Sequence, residues 1–331
     1  MVAKAEAKEW GRQNITGLWG VHWVPFDGDD NLDEAQLRDH VERVLRQPME
    51  GLSVAGMLDE LFYVSIPERK RIAEVVAEVV GGRLPAYCSA TTDSIRDTLD
   101  LVHHAHDLGY DMAMVWPSPE HARSDKILYE FYAYLDRHSP IAISAYSTPH
   151  SGRLMSPELA GAVAKLESVC VIKYVTWDFR SYLAAKDEVG QNAVISYPME
   201  DRWLMSKQMF GNPALYSTTA VNLFASADGR SPIADYTKDA EQGNWTEAYR
   251  KSLDVQPLRD LWTELYDVYR TEHRHPYAET KYWAHVVGLL DNPAVRRPQE
   301  QAPPAVREKI WRTLNEAGLA LSPAPEQGEA R

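Results

Sequence analysis

Between about Thr16 and Thr219 the chain alternates short apolar runs with longer segments whose apolar residues recur every three or four positions. The runs are LWGVHW, GLSVAG, PAYCSA, DMAMVW, PIAISAY, VCVIKYV, AVISY and ALYSTT. Each has strand length, and near-continuous apolar runs suit strands covered on both faces. The segments between them read as helices, opened by Asp33, Pro67, Asp93 and Ser156-Pro157 and often closed by glycine. Strand and helix alternating eight times predict parallel strands joined by crossover helices, and eight is the number that closes a (β/α)8 TIM barrel. An open doubly wound sheet would carry a Gly-rich phosphate turn after the first strand. The stretch VHWVPFDGDDNLD offers a single glycine among several aspartates.

After about Pro232 the strand-like runs stop. Three helices are predicted there, Ala234 to Leu253, Val255 to Arg270 and Tyr277 to Leu290, with turns near Gly243-Asn244 and His275-Pro276. The expected organisation is a tail over 1–13, a barrel over 14–233, a C-terminal helical extension over 234–319 and a flexible tail over 320–331, SPAPEQGEAR being polar and rich in Pro and Ala.

Composition narrows the function classes. A formal charge of -13 and a pI near 5.3 argue against nucleic-acid or anionic-membrane partners, which need clustered Lys and Arg. No stretch approaches the roughly 18 apolar residues of a membrane span, and MVAKAEAKEWGRQN lacks a signal core. Cys88 and Cys170 both lie in apolar runs, which suits buried reduced thiols and a cytoplasmic location.

The sixth run places a lysine, Lys173, near the carboxyl end of an otherwise apolar strand, VCVIKYVTWD. Catalytic groups of a barrel sit at that end. Burial disfavours an ammonium ion and leaves a neutral amine able to attack a carbonyl carbon, with a Schiff base as product. Snorkelling to solvent or pairing with Asp178 is the structural alternative. The fifth run ends ISAYSTPHSGR and puts Tyr146 at the corresponding end of the neighbouring strand, where a phenol could shuttle protons or simply pack in the core.

Together these stretches resemble the dihydrodipicolinate synthase and N-acetylneuraminate lyase family of class I aldolases. The likeness runs from VPFDGDDNLD (T-P-F in the family) through GLSVAGMLDELFYVSIPERKRI (G-T-T-G-E), PIAISAYSTPHSG (P-I-x-x-Y-N-x-P) and VCVIKYVTWD (V-G-I-K-E), from Thr16 to Leu290. The resemblance implies that Lys173 forms an imine with a pyruvate-type 2-oxo acid and that Tyr146 relays protons. It also implies that the loop Gly56, Met57, Leu58 and Asp59, followed by Glu60, holds the substrate carboxylate. Ser147, Trp116, Tyr197 and Thr218, at strand ends, complete the expected substrate-binding set. No cofactor is required beyond the covalent imine, no metal is expected, and a homotetramer built as a dimer of dimers is implied.

Several positions depart from that pattern. Met57 and Leu58 replace the two loop hydroxyls, Asp59 replaces a glycine, Ser147 an asparagine, and Pro117-Ser118-Pro119 lacks the tyrosine of the synthases. Ser151 stands where the synthases carry an arginine for their second substrate, with Arg153 two places on, so lysine-pathway synthase activity is not expected. Tyr174 after the lysine resembles the hydratase-aldolase branch, and Trp116, Trp177, Tyr197 and Trp203 suit an aromatic or hydrophobic partner substrate. Glu200 and Asp201 either line the pocket or open a helix. A Schiff-base lyase or aldolase is therefore expected, with a hydratase or dehydratase, or a noncatalytic binder, as alternatives. DGDDNLD lacks the glycine and glutamate of a calcium loop, and His103, His104, His106, His273 and His275 lack companion ligands.

Overall fold

The computed structural model describes residues 2–325. Eight strands, β1 (Gly17–Val21), β2 (Gly51–Val54), β3 (Ala86–Ser89), β4 (Met112–Val115), β5 (Ala142–Ser147), β6 (Val169–Tyr174), β7 (Val194–Ser196) and β8 (Ala214–Leu215), alternate with helices. All pair in parallel, in the order β7-β6-β5-β4-β3-β2-β1-β8. Side chains bridge the seam between the two terminal strands: Ser196 Oγ donates to Ala214 O at 2.7 Å, and Asn212 Nδ2 to Tyr197 O at 3.0 Å. The architecture is the expected (β/α)8 barrel with C-terminal helices.

The lumen is packed, and its layers position the site. Trp19, Tyr87, Met112 and Tyr216 fill its middle, the Trp19 and Tyr216 rings lying 5.2 Å apart. Trp19 fits because its strand partner is Gly51: a β-carbon there would sit 2.3 Å from the indole. The barrel is thus solid below its carboxyl-end mouth, as close packing in such cores demands.

Several segments differ from expectation. Residues 1–13 do not form a tail: Ala7–Asn14 is a helix across the amino-terminal end of the barrel, and Ala142 N bonds Val2 O at 3.3 Å. Gly11 permits that approach, since a β-carbon there would lie 2.8 Å from Cys170 O, and Lys8 donates to the carbonyls of Ala164 and Val169. The helix predicted over Ala234 to Leu253 breaks at Gly243 into Pro232–Glu241 and Trp245–Leu253, because Gly243 takes φ 79°. A further helix, Pro304–Glu316, buries Ile310 and Leu314, and its brevity of apolar pattern between prolines hid it. The first residues of the expected tail are anchored, Leu321 N donating to Val286 O at 2.8 Å, while 326–331 lie outside the described residues. No helix among the described residues is long and apolar enough to cross a membrane.

Candidate active site

Lys173 and Tyr146 are Cα partners at the ends of β6 and β5, so side-chain alternation points both into the lumen. Lys173 is buried, and among the described residues it pairs with no carboxylate; Asp178 caps the following helix instead, accepting from Arg180 N. Its Nζ donates to Ser217 O at 2.6 Å and to Ser217 Oγ at 3.2 Å, and it lies 4.4 Å from the centre of the Tyr146 ring. With dipoles but no counter-charge around it, desolvation pushes the ammonium pKa down to about 7. Ser217 follows β8 at φ 55°, an uncommon conformation for a residue with a β-carbon, and that turn aims both of its oxygens at the lysine. Tyr87 in turn donates to Ser217 Oγ and also bonds Ser53.

Tyr146 stands edge-on to Trp116, ring centres 5.5 Å apart. Burial pushes its phenol up to about 12, keeping it protonated, and its hydroxyl bonds the side chain of Thr148. Thr148 thus supplies a hydroxyl neighbour in place of those missing from the loop after β2.

That loop, Gly56 to Glu60, is held from two sides. Within it, Asp59 Oδ2 accepts from Gly56 N at 2.5 Å and lies 3.4 Å from His22 Nε2 at the end of β1. One backbone donor expected to hold substrate is therefore occupied by the loop's own carboxyl. The left-handed residues are Ala55 (φ 53°) and Glu60 (φ 54°), on either side of Met57–Asp59, so Asp59 needs no glycine-like conformation. From outside, Glu60 forms a fully buried ion pair with Lys281 of helix Tyr277–Val286 and accepts from Arg296 N at 2.9 Å. Burial of Asp59 raises its carboxyl well above the ordinary carboxylate range.

These groups line a cavity of about 510 Å³ that opens at the barrel mouth. Its floor is His22, Ser53, Gly56, Asp59, Tyr87 and Ser89, and its walls include Met57, Trp116, Trp177 and Thr218. The roof comes from the C-terminal helices: Arg259, Trp262 and Tyr266 of Gln256–Tyr266, then Tyr269 and Arg270. Arg259 fixes this roof to the loop after β7 by gripping both oxygens of Glu200 at 2.7 Å, and Tyr236 donates to the same carboxylate at 2.6 Å. Glu200 and Asp201 satisfy both sequence alternatives, lining the cavity while forming a short 3-10 turn.

The expected residues divide accordingly. Lys173, Tyr146, Gly56, Met57, Asp59, Trp116 and Thr218 converge on the cavity. Ser147 does not: alternation turns it outward, where its Oγ accepts from Met155 N at 3.0 Å. Tyr197 is likewise outside the cavity, packed on Tyr182 and Phe179 with its hydroxyl accepting from Arg202 at 2.9 Å. The Leu58 side chain lies outside the described residues. Tyr174, one residue past Lys173, faces away and donates to Met155 O; Trp203 is buried against Thr237; Arg153 is tied to Asp125. The roof aromatics were missed, although Trp262, Tyr266 and Tyr269 stand at helical spacing on one face. Ser217 and His22 gave no recognisable signal. No group of side chains suited to holding a metal ion occurs among the described residues.

Comparison with known proteins places this geometry among relatives. Residues 14–317 match the model of the dihydrodipicolinate synthetase family. The chain is 29% identical over 156 residues to a 4-hydroxy-tetrahydrodipicolinate synthase of Methanothermobacter thermautotrophicus, a match over 47% of this chain and 55%, about half, of that protein's length. To the Brucella suis protein of the same name it is 24% identical over 311 residues, covering 89% of this chain and 96% of that protein. Among solved structures, a prophage protein of E. coli K12 belonging to the dihydrodipicolinic acid synthase family, in complex with pyruvate, aligns with a TM-score of 0.81 at 17% identity, covering 92% of this chain and 99% of the other.

Proposed function

The chain belongs to the dihydrodipicolinate synthetase family of class I aldolases and lyases, and on that premise we propose that it makes or breaks a carbon–carbon bond next to a pyruvate-type 2-oxo acid, with an aromatic or hydrophobic second substrate. The observation that carries the reading is Lys173: a buried amine without a carboxylate partner among the described residues, with a pKa near 7, beside a tyrosine at the mouth of the barrel.

The neutral amine of Lys173 adds to the keto carbon, and loss of water leaves a protonated imine. That iminium is the electron sink. In the cleavage direction it draws the bonding pair of the adjacent C–C bond into an enamine, while the hydroxyl on the departing carbon loses its proton and becomes a carbonyl. Tyr146, a protonated phenol bonded to Thr148, is the group that relays that proton. The chemistry needs no organic cofactor or metal, since the imine performs the polarisation itself.

The second substrate is read from the roof. Trp116, Trp177, Trp262, Tyr266 and Tyr269 supply aromatic surface around one opening, and flat apolar groups stack on such surfaces. Recognition of the synthase reaction's polar second substrate has less support, because Arg153 is committed to Asp125.

Incubation with aryl-substituted 4-hydroxy-2-oxo acids tests the proposal. Release of aryl aldehyde and pyruvate in equal amounts is expected. Formation of an unsaturated 2-oxo acid without aldehyde would assign the same imine to C–O chemistry instead.

A further inference from the structure

The floor of the cavity carries a pair of groups outside the lysine–tyrosine machinery. His22, at the end of β1, and Asp59, in the loop after β2, are both buried and face each other at 3.4 Å. The imidazole's tautomer is fixed by its surroundings: Nδ1 lies 3.3 Å from Trp23 O, which only accepts, and Nε2 lies 3.3 Å from Ala55 N, which only donates. Nε2 therefore carries the lone pair and accepts from Ala55 N, with Asp59 Oδ2 3.4 Å away. Of the two carboxyl oxygens, Oδ2 is used by Gly56 N, but Oδ1 is buried with no hydrogen-bond partner among the described residues. Ser89 Oγ, on the same cavity floor, is also without one. Unmet hydrogen-bonding capacity is rarely left in a folded interior except where a ligand or water uses it.

The floor is connected to the lysine. A β-carbon on Gly56 would lie 3.3 Å from Ser53 Oγ and 4.0 Å from both Asp59 Oδ2 and Ser89 Oγ, so these polar atoms ring one point. Ser53 bonds Tyr87, Tyr87 donates to Ser217 Oγ, and Ser217 accepts from Lys173. A chain of polar contacts thus runs from Lys173 to the floor that carries Asp59.

The geometry points to Asp59, with neutral His22 beside it, as the acid–base group that serves formation of the imine, an assignment that rests on the Schiff-base reading above. In its neutral form Asp59 protonates the hydroxyl of the carbinolamine; the C–O bond breaks, water leaves, the nitrogen lone pair forms the C=N bond, and Asp59 becomes a carboxylate. The carboxylate then takes a proton from C3 of the iminium, the C–H pair enters the enamine, and the acid is restored. Neutral His22 beside it sets no cation against the carboxyl and so leaves its proton in place. Burial disfavours charge on both groups: it raises the Asp59 carboxyl well above its ordinary range and pushes the His22 imidazolium down to about 4. The charges facing Asp59 from other elements are Lys281 and Arg69, with neighbouring Glu60 opposing them, and the neutral Tyr87, Cys88, Tyr110 and Tyr277 also act on it.

Deuterium exchange into C3 of pyruvate, followed by proton NMR, reads this step, with borohydride trapping on Lys173 in parallel. Wild-type protein is expected to exchange and to be trapped. Asp59→Asn lowers exchange by about a hundredfold or more, in the range of positioned acid–base groups, with the pyruvate concentration for half-maximal trapping little changed. Asp59→Gly vacates the space, and added formate restores exchange, which a packing role would not allow. His22→Gln shifts the acidic limb of the exchange profile. An Asp59→Asn protein exchanging at the wild-type rate overturns the assignment, as does an Asp59→Gly protein that is trapped but not rescued. A wild-type protein that is neither trapped nor exchanging overturns the Schiff-base reading itself, and this assignment with it.

Discussion

Lys173 donates to the carbonyl oxygen of Ser217 at 2.6 Å across the barrel mouth, and Ser217 presents that oxygen only because its backbone turns left-handed at φ 55°. The lysine is thereby solvated by dipoles without gaining a counter-charge. A carboxylate in the same place would hold the ammonium protonated and abolish its nucleophilicity.

The rate of imine formation should follow the lysine. With its pKa pushed to about 7, the neutral fraction grows as pH rises through neutrality and is nearly complete about one unit above. Pyruvate-dependent inactivation by cyanoborohydride is expected to accelerate from pH 6 to 8 after correction for the reagent, and then to level. A rate still climbing toward pH 10 would show an ordinary lysine.

The same burial has a stability cost. Lys173 has a folded-state pKa near 7 against an unfolded value of 10.5, so the unfolded chain binds more protons between these limits. The destabilisation is complete below pH 7, shrinks as pH rises, and vanishes above about 10.5. Lys173→Met, similar in length and uncharged, should abolish trapping yet raise stability by a few kcal/mol at pH 6, less at pH 9, measured by denaturant unfolding.

Glu60 and Lys281 form a pair with both side chains inaccessible to solvent. Lys281→Met leaves the Glu60 charge without its partner under the loop that follows β2, and a loss of about 3 to 5 kcal/mol in unfolding free energy is expected. Because Asp59 precedes Glu60, deuterium exchange into C3 of pyruvate should slow as well. Unchanged stability would mean that the loop is anchored elsewhere.

The aromatic roof separates the two substrates. Trp262→Ala and Tyr266→Ala each remove stacking surface from the C-terminal side of the cavity. Each should raise KM for an aryl acceptor by about tenfold, corresponding to roughly 1.4 kcal/mol, while half-maximal trapping by pyruvate stays within about twofold. Equal effects on both would place these rings against the 2-oxo acid instead.

The barrel and its central lysine were legible because they depend on local pattern: eight apolar runs, and one charge inside the sixth. The same pleat explains two corrections. Tyr146 and Lys173 face the lumen, so Ser147 and Tyr174, one residue later, face the helices. What was hidden depends on the path of the backbone between elements. Ser217, Ala55 and Glu60 adopt left-handed turns that a serine, alanine or glutamate does not announce. The roof was hidden for another reason: helical periodicity shows that Gln256–Tyr266 has an apolar face, but not that part of it closes over the mouth of the barrel. The N-terminal helix escaped because its contact with β6 runs through Gly11, where a side chain is missing.

The most direct test of the central claim is mass spectrometry of the protein after borohydride reduction in the presence of pyruvate. The account requires one added carboxyethyl group per chain, mapped to the peptide carrying Lys173 and missing from Lys173→Met. An unmodified protein, or a modification carried by any other lysine, would contradict it.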